Sequence, residues 1–480
     1  MHYLVFATLL LITQFLQVLA DCGLKVKTSF HDKSPLLLDH ELNFIYPPPS
    51  HPEWVRLRWF QDRLVYCPGG TIHLGENRQL LARDETHYQL PPVVRCIKDD
   101  ILELEDQDHV RFNLEFLSCN VNPEVVDWAT GETCGRGSLQ HLGFPLDSQL
   151  AKPSIKLCYV NDVATTTWAY SVIPAAIENR QVIKSNKETF SKGKLFEDIT
   201  VAKYYVGCVQ VETFMDIFRE EGQDSYHMDD GREPTEEDRK KKQQREDELR
   251  EYVSRYIRPM IAKKKKTDPE LDDDKMSDTD VHAAATVPAP DTSDDKLPLN
   301  YLVKGHLIAK ADKFYAAEQY VTYFYANAVP MWNSINNGNW KHMEDKIVRP
   351  LAATKGDIEV WVGAFGVLRL EGKDIYLGKR KRQEHPVMPV PKILFKVAYS
   401  RQSNQGLVFL AANNPYLEDA QVADYIVCPE YPRCRELHDK FNNKDRGFMY
   451  CCSIPDFLAN PEVRTLGLPI GVPNDVAPIL

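Results

Sequence analysis

Eleven cysteines, at positions 22, 67, 96, 119, 134, 158, 208, 428, 434, 451 and 452, constrain this 480-residue chain more than any other feature. All of them follow an apolar stretch, Leu4 to Leu19, that ends with Val18 and Ala20 as the small residues of a cleavage site, so that Asp21 begins the mature chain. Cysteines behind such a leader meet oxidising conditions, which makes disulfides the expectation; the odd total leaves one thiol unpaired or bonded to another chain. Connectivity cannot be read from spacing. The apolar run has no Lys or Arg before it, which also fits a signal anchor, but it is short for a membrane span, and the expected product is secreted and free of the membrane once residues 1–20 are removed. A zinc site is disfavoured, because there is no Cys-x-x-Cys and Cys451 and Cys452 are adjacent.

From 21 to 218 the sequence reads as short β-prone runs broken by Pro, Gly and Asn: Trp54 to Phe60, Thr71 to Leu74, Val110 to Phe116, Ile155 to Val160 and Thr165 to Ile173. This is the pattern of a disulfide-braced, strand-rich module, and Ile199 to Phe218 follows as strand or helix. Between 219 and 296 about half of the residues are charged and the net charge is about −7, the composition of a largely disordered insert or linker. One helix is expected inside it, with Thr235-x-x-Asp238 as a capping box and Leu249, Tyr252, Val253, Tyr256, Ile257, Met260 and Ile261 at helical spacing, ending before Lys263 to Lys266. Residues 297–480 carry a net charge of about +3 in a chain whose total is −11. Strands are expected there at Ile358 to Leu370, Lys392 to Tyr399 and Gly406 to Ala411. A composition that is 43% hydrophobic and 26% charged excludes rods, collagen and a wholly disordered chain.

The chemistry-bearing block runs from Tyr301 to Glu344. On a strand, Lys304 and His306 point to one face, with Gly305 between them leaving room for a ligand. Downstream, Asn336, Trp340 and Glu344 recur every four residues and would line one side of a helix. A neutral imidazole to take a proton from water, an amide and a carboxylate for a hydrated Mg²⁺ ion, and a cation for charge building on phosphorus together suit phosphodiester hydrolysis. Each piece alone also has an ordinary reading: a packed histidine beside glycine, or an Asn-rich turn starting a helix.

In order and spacing these residues resemble the DNA/RNA non-specific endonucleases of the ββα-metal fold, in particular the secreted nucleases of insect gut and saliva. The family's Asp-Arg-Gly-His-Leu element aligns with Val303-Lys304-Gly305-His306-Leu307, its Asn-x-x-Pro-Gln element with Asn327 to Met331, and its Asn-x-x-x-Trp-x-x-x-Glu helix with Asn336, Trp340 and Glu344. Trp361 to Gly366, Pro391 to Lys396, Asn413 to Tyr416 and Tyr450 to Phe457 resemble later segments of the insect group. The resemblance implies an α+β fold: a central antiparallel sheet with flanking helices and a ββα-metal site, preceded by the disulfide-braced module. By position it makes His306 the general base, Asn336 the direct metal ligand, Glu344 the group that orients the ion's waters, and Asn327 a neighbour that positions His306 or the phosphate. It implies Mg²⁺, or Mn²⁺, as the cofactor and double- and single-stranded DNA and RNA as sequence-independent substrates. Trp340 is expected to pack the helix.

Three positions depart from the family. Lys304 keeps a charge but lacks the planar fork of arginine, Met331 stands in place of glutamine, and Val303 in place of an acid. Lost polar groups weaken transition-state stabilisation, so reduced activity is expected. The rival reading is a nuclease-derived protein that binds nucleic acid tightly with little or no catalysis. Separately, Lys379, Arg380, Lys381 and Arg382 would neutralise phosphates without reading bases, or else form a solvated hairpin tip or processing site. Lys263 to Lys266 reads as a solvated helix end.

Overall fold

The computed structural model describes residues 21–480 other than 60, 76–77, 80–92, 105–109, 148–149, 183–188, 220–234, 259–299, 381–382 and 474. The apolar leader, the run Lys263 to Lys266, and Lys381 and Arg382 therefore lie outside the described residues.

The backbone of the molecule is one antiparallel sheet. Its strands, in chain order, are β1 (Val126–Cys134), β2 (Gly137–Pro145), β3 (Ala151–Val160) and β4 (Thr165–Ile173), followed after a long interval by β7 (Ile358–Val367), β8 (Pro391–Ser400), β9 (Gln405–Ala412) and β10 (Met449–Cys452). They lie side by side in that order, and Ala477–Pro478 adds a parallel edge against β9. Between β4 and β7 the chain forms the separate pair β5 (Leu302–His306) and β6 (Ala328–Trp332), then a helical segment α3 spanning 333–355. Two earlier helices are α1 (Gly207–Phe218) and α2 (Glu236–Val253).

The alternation of β8 explains the layering. Ile393, Phe395, Val397 and Tyr399 enter one apolar cluster with Trp361, Val408 and Leu410. Leu394 and Ala398 enter the other, with Val360, Val362, Leu407 and Phe409. A period of two sends successive side chains to opposite faces, and both faces of this strand are covered. Lys396 shares the face of Leu394 and Ala398, and it is completely buried.

A division at residue 218 does not separate two sheets. β4 pairs with β7 from Trp168↔Gly363 to Ile173↔Ile358, so segments expected in different domains share one ladder. The reason is the alternation within β4: Trp168 joins the core of one face and Ala169 that of the other, and its ladder groups need a partner on each side. Cys22 to Cys119 forms small sheets of its own, of five, three and two strands, whose apolar side chains join the core on one face of the large sheet. Disulfides Cys22–Cys96 and Cys67–Cys119 brace it, Cys134–Cys158 ties β1 to β3, and Cys428–Cys452 and Cys434–Cys451 fasten the C-terminal loops. Cys208, on α1, is the unpaired and exposed thiol.

The helix expected inside the charged insert is α2, and it begins directly after Thr235. It ends at Val253, earlier than expected, and the turn that follows, with Tyr256 and Ile257, docks on α1 together with its last residues: Phe218 stacks on Tyr256 and meets Tyr252 edge-on, Arg219 pairs with Glu246 at 3.2 Å, and Val253 and Ile257 are buried. Met260 and Ile261 lie outside the described residues.

Candidate active site

β5 and β6 run antiparallel with Val303 opposite Met331, Lys304 opposite Pro330 and His306 opposite Ala328, and α3 follows β6 without a connecting loop. The two strands and the helix thus form a ββα unit. Lys304 and His306 do share a face: the Lys304 ammonium lies 4.8 Å from the centroid of Phe190, and the His306 ring lies 5.0 Å from the same ring. Tyr323 meets His306 edge-on at 5.2 Å. The ring is half-buried, but its Nε2 is enclosed and has no hydrogen-bond partner among the described residues. Burial first, and then the charges of Lys304 and Lys310, lower its pKa from 6.5 to about 4, so the imidazole is neutral at physiological pH.

Two expectations about this block are corrected. The space at Gly305 is taken by protein, not left for a ligand, since a Cβ there would lie 2.6 Å from the Met331 Cβ. The side-by-side array of Asn336, Trp340 and Glu344 is also interrupted. Gly338 has ψ −124°, a kink between Asn336 and the rest of α3, because the loop 437–447 inserts its backbone there. The Arg446 carbonyl accepts from Asn339 N–H at 2.9 Å, and Asn339 Nδ2 donates to the carbonyls of Lys440 and Gly447. Past the kink Trp340 is buried and Glu344 lies in a wide turn, in which Arg349 N–H donates to the Glu344 carbonyl. Such i→i+5 turns are frequent at functional sites.

Asn327 is fully buried and committed to the backbone after the histidine. Its Oδ1 accepts from Ile308 N–H (3.0 Å), and its Nδ2 donates to the carbonyls of Ile308 (2.9 Å) and Thr322 (3.0 Å). It braces the β5 exit. Asn336 is half-buried, and no hydrogen bond of its side chain occurs among the described residues. Of the basic run, Lys379 is exposed, whereas Arg380 is held by Asp198 and by the carbonyl of Asn161.

Sequence reasoning missed the charges behind Glu344. The Lys396 ammonium bonds Asp312 at 2.7 Å and Glu344 Oε1 at 3.4 Å, and Arg349 reaches Asp312 at 3.2 Å and Asp345 at 2.7 Å. Burial raises the Glu344 pKa to about 7 against the pull of Lys396. Although burial also acts on Asp312, Lys396 and Arg349 hold its carboxyl below the usual range. A lysine amid Ile-Leu-Phe and Val-Ala-Tyr was the available signal, since a charge on a doubly covered strand needs partners.

Among the described residues no three of His, Cys, Asp and Glu converge as a metal cage. The donors present, one open amide and a carboxylate nearby in the chain, instead suit a hard cation that keeps most of its waters.

Residues 229–457 match the family model described as DNA/RNA non-specific endonuclease. Over that stretch, just under half of its length, the chain is similar to that family. The non-specific endonuclease match covers the ββα unit and the sheet from β7 to β10. The chain is 29% identical over 194 residues to a salivary endonuclease of Lutzomyia longipalpis, covering 40% of this chain and 46% of that protein. It is 30% identical over 173 residues to salivary protein Tsal2A of Glossina morsitans morsitans, with coverages of 35% and 42%. It is 28% identical over 185 residues to a salivary endonuclease of Culex quinquefasciatus, with coverages of 37% and 48%. The matched region is thus less than half the length of each relative. A solved EndoG/EndoGI complex aligns with 64% of this chain and 87% of its own at 11% identity and TM-score 0.26, too low for further comparison.

Proposed function

We propose that this protein is a secreted endonuclease that hydrolyses the phosphodiesters of DNA and RNA without base preference, dependent on Mg²⁺ and slower than family members with an arginine at position 304. The observation that carries this reading is the enclosed, unpartnered and neutral His306 Nε2 on the ββα unit. A buried ring nitrogen with no partner is costly unless a substrate or water supplies one. His306 would take a proton from the attacking water, which a neutral imidazole can do at physiological pH. Asn327 fixes the chain leaving His306, so the ring has a defined direction. Asn336 would hold the ion, and Glu344, whose pKa burial raises to about 7, would in its ionised form accept hydrogen bonds from the ion's waters. When bound, Mg²⁺ neutralises charge on the leaving oxygen.

Five disulfides support secretion, and no helix among the described residues is long and apolar enough to cross a membrane. Of the two described members of the basic run, Lys379 is the exposed one that could contact a phosphate.

A second reading, a nucleic-acid-binding protein with little catalysis, has one observation in its favour. The Lys304 ammonium is drawn between Phe190 and Tyr325, 4.8 and 5.2 Å from their centroids, and lies 3.4 Å from the Tyr325 hydroxyl. That environment competes with a phosphate for the cation. The test is incubation of the mature protein with plasmid DNA, double-stranded RNA and single-stranded RNA, with Mg²⁺ or EDTA, beside His306→Ala, with gel shifts on the same samples. Mg²⁺-dependent cutting lost in the variant supports the enzyme. Salt-sensitive binding without cutting supports the second reading, and neither activity sinks both.

A further inference from the structure

Beyond the Gly338 kink, α3 and the loop 437–447 build a second group of cations that the proposed hydrolysis does not use. His342 of α3 and His438 of the loop stack face to face, with centroids 3.7 Å apart and planes 11° apart. Phe441, buried, meets His438 edge-on at 5.5 Å. The loop is fastened to the helix by the three backbone carbonyls that Asn339 satisfies, so the stack joins two fixed elements. Lys346 and Asp345 from α3, with Arg446, Lys440 and Asp439 from the loop, are the charges acting on the pair. The Asp345 carboxylate is taken by Arg349 at 2.7 Å, while Asp439 lies 3.3 Å from His438 Nδ1. Lys346, Lys440 and Arg446 are exposed. Partial burial first, and then the neighbouring cations, lower the pKa of both imidazoles, so each ring is neutral near pH 7 and keeps one N–H to donate.

We propose that His342, His438, Lys346, Lys440 and Arg446 form a phosphate-backbone contact for a nucleic-acid strand, apart from the phosphate being cut. Three exposed cations flank two flat N–H donors; of the acids nearby, Asp345 is taken by Arg349, Asp439 lies against His438 Nδ1, and Asp445 is exposed beside Arg446. That arrangement fits closely spaced oxyanions and offers nothing to read a base edge. The Arg446 carbonyl fills the place where a side chain on Gly338 would sit, so the backbone of this loop lies against α3 two residues from Asn336.

This inference rests on nucleic acid being the ligand, and the experiment keeps the two apart. The full mature chain is titrated in EDTA with a fluorescent 20-base-pair duplex between 50 and 200 mM salt. Lys346→Gln/Lys440→Gln/Arg446→Gln is compared with Lys27→Gln/Arg58→Gln/Lys98→Gln, which removes equal charge from exposed residues of the N-terminal module. Each lost phosphate contact lowers the slope of log K against log salt by about 0.9, so the first triple variant should lose about 2 to 3 in slope and at least about tenfold in affinity. The control should keep both. The neutral rings release no counterion, so His342→Ala/His438→Ala should weaken binding several-fold at an unchanged slope. Wild-type binding that neither the first triple nor the histidine pair alters, or that the control weakens equally, overturns the inference and leaves the substrate class standing. Equal affinity for polyglutamate would overturn it by revealing an unselective polyanion surface, and a wild type that binds no duplex at any salt overturns both.

Discussion

The Lys396 ammonium of β8 lies 3.4 Å from a carboxylate oxygen of Glu344 on α3, while its 2.7 Å bond to Asp312 ties the strand and helix to the segment after β5. All three groups are buried, so removing the lysine leaves Glu344 without its cation and Asp312 with Arg349 alone. Breaking a buried pair from one side costs about 3–5 kcal/mol. Lys396→Met should therefore lower the thermal midpoint by several degrees. Cleavage should fall further than the folded fraction explains, because Glu344, already near 7, then stays protonated. Calorimetry beside a plasmid assay checks both, and an unchanged midpoint would contradict the ion cluster.

His306 should not titrate in the range of an ordinary histidine near 6.5. Its folded pKa is about 4, so its ring resonances in the metal-free protein should stay fixed between pH 8 and about 5.5 and move only below that. The sign for stability follows. The unfolded chain takes up a proton near 6.5 that the folded ring refuses, so this residue's contribution to folding is full above 6.5 and declines as pH falls toward 4. Lys304→Met should shift the His306 transition upward, because Lys304 is one of the charges that lower it.

Lys304→Arg should separate catalysis from binding. The larger planar guanidinium offers a paired donor fork to a phosphate and can still lie against Phe190 and Tyr325. Initial rates on plasmid DNA should rise at least about tenfold, a gain of about 1.4 kcal/mol in the transition state, with duplex affinity in EDTA little changed. A parallel rise in affinity without faster cutting would instead assign position 304 to ground-state binding.

Five disulfides and one exposed thiol give a direct covalent test. Native, unreduced mature protein treated with iodoacetamide should carry a single adduct, on Cys208, by peptide mass spectrometry. Adducts on Cys434 or Cys451 would contradict the pairing of the C-terminal loop.

Much of the fold was legible because it is local. The runs at Thr165 to Ile173, Lys392 to Tyr399 and Gly406 to Ala411 are strands within a residue or so of the expected bounds, since a short β-prone apolar run is a property of neighbouring residues. Lys304 and His306 share a face because side chains alternate along a strand. The helix of the insert was legible at its start, after Thr235, but not at its end: it stops at Val253, and Tyr256 and Ile257, read as helical from their spacing, follow it in a turn that packs on α1.

The sequence by itself determined the strand periods, the ordered series His306, Asn327, Asn336 and Glu344, and a cysteine total that leaves one thiol over. Tertiary structure alone decided that β4 and β7 join one sheet across the charged insert, that the backbone of 437–447 kinks α3 at Gly338, and that Lys396 closes on Glu344. It also filled the space beside Gly305 with Met331. Each of these joins residues far apart in the chain through ladder bonds, a carbonyl contact or buried charge, and such pairings leave no periodic trace in either partner segment. Local pattern fixes which way a side chain points; only the folded chain supplies what it meets there.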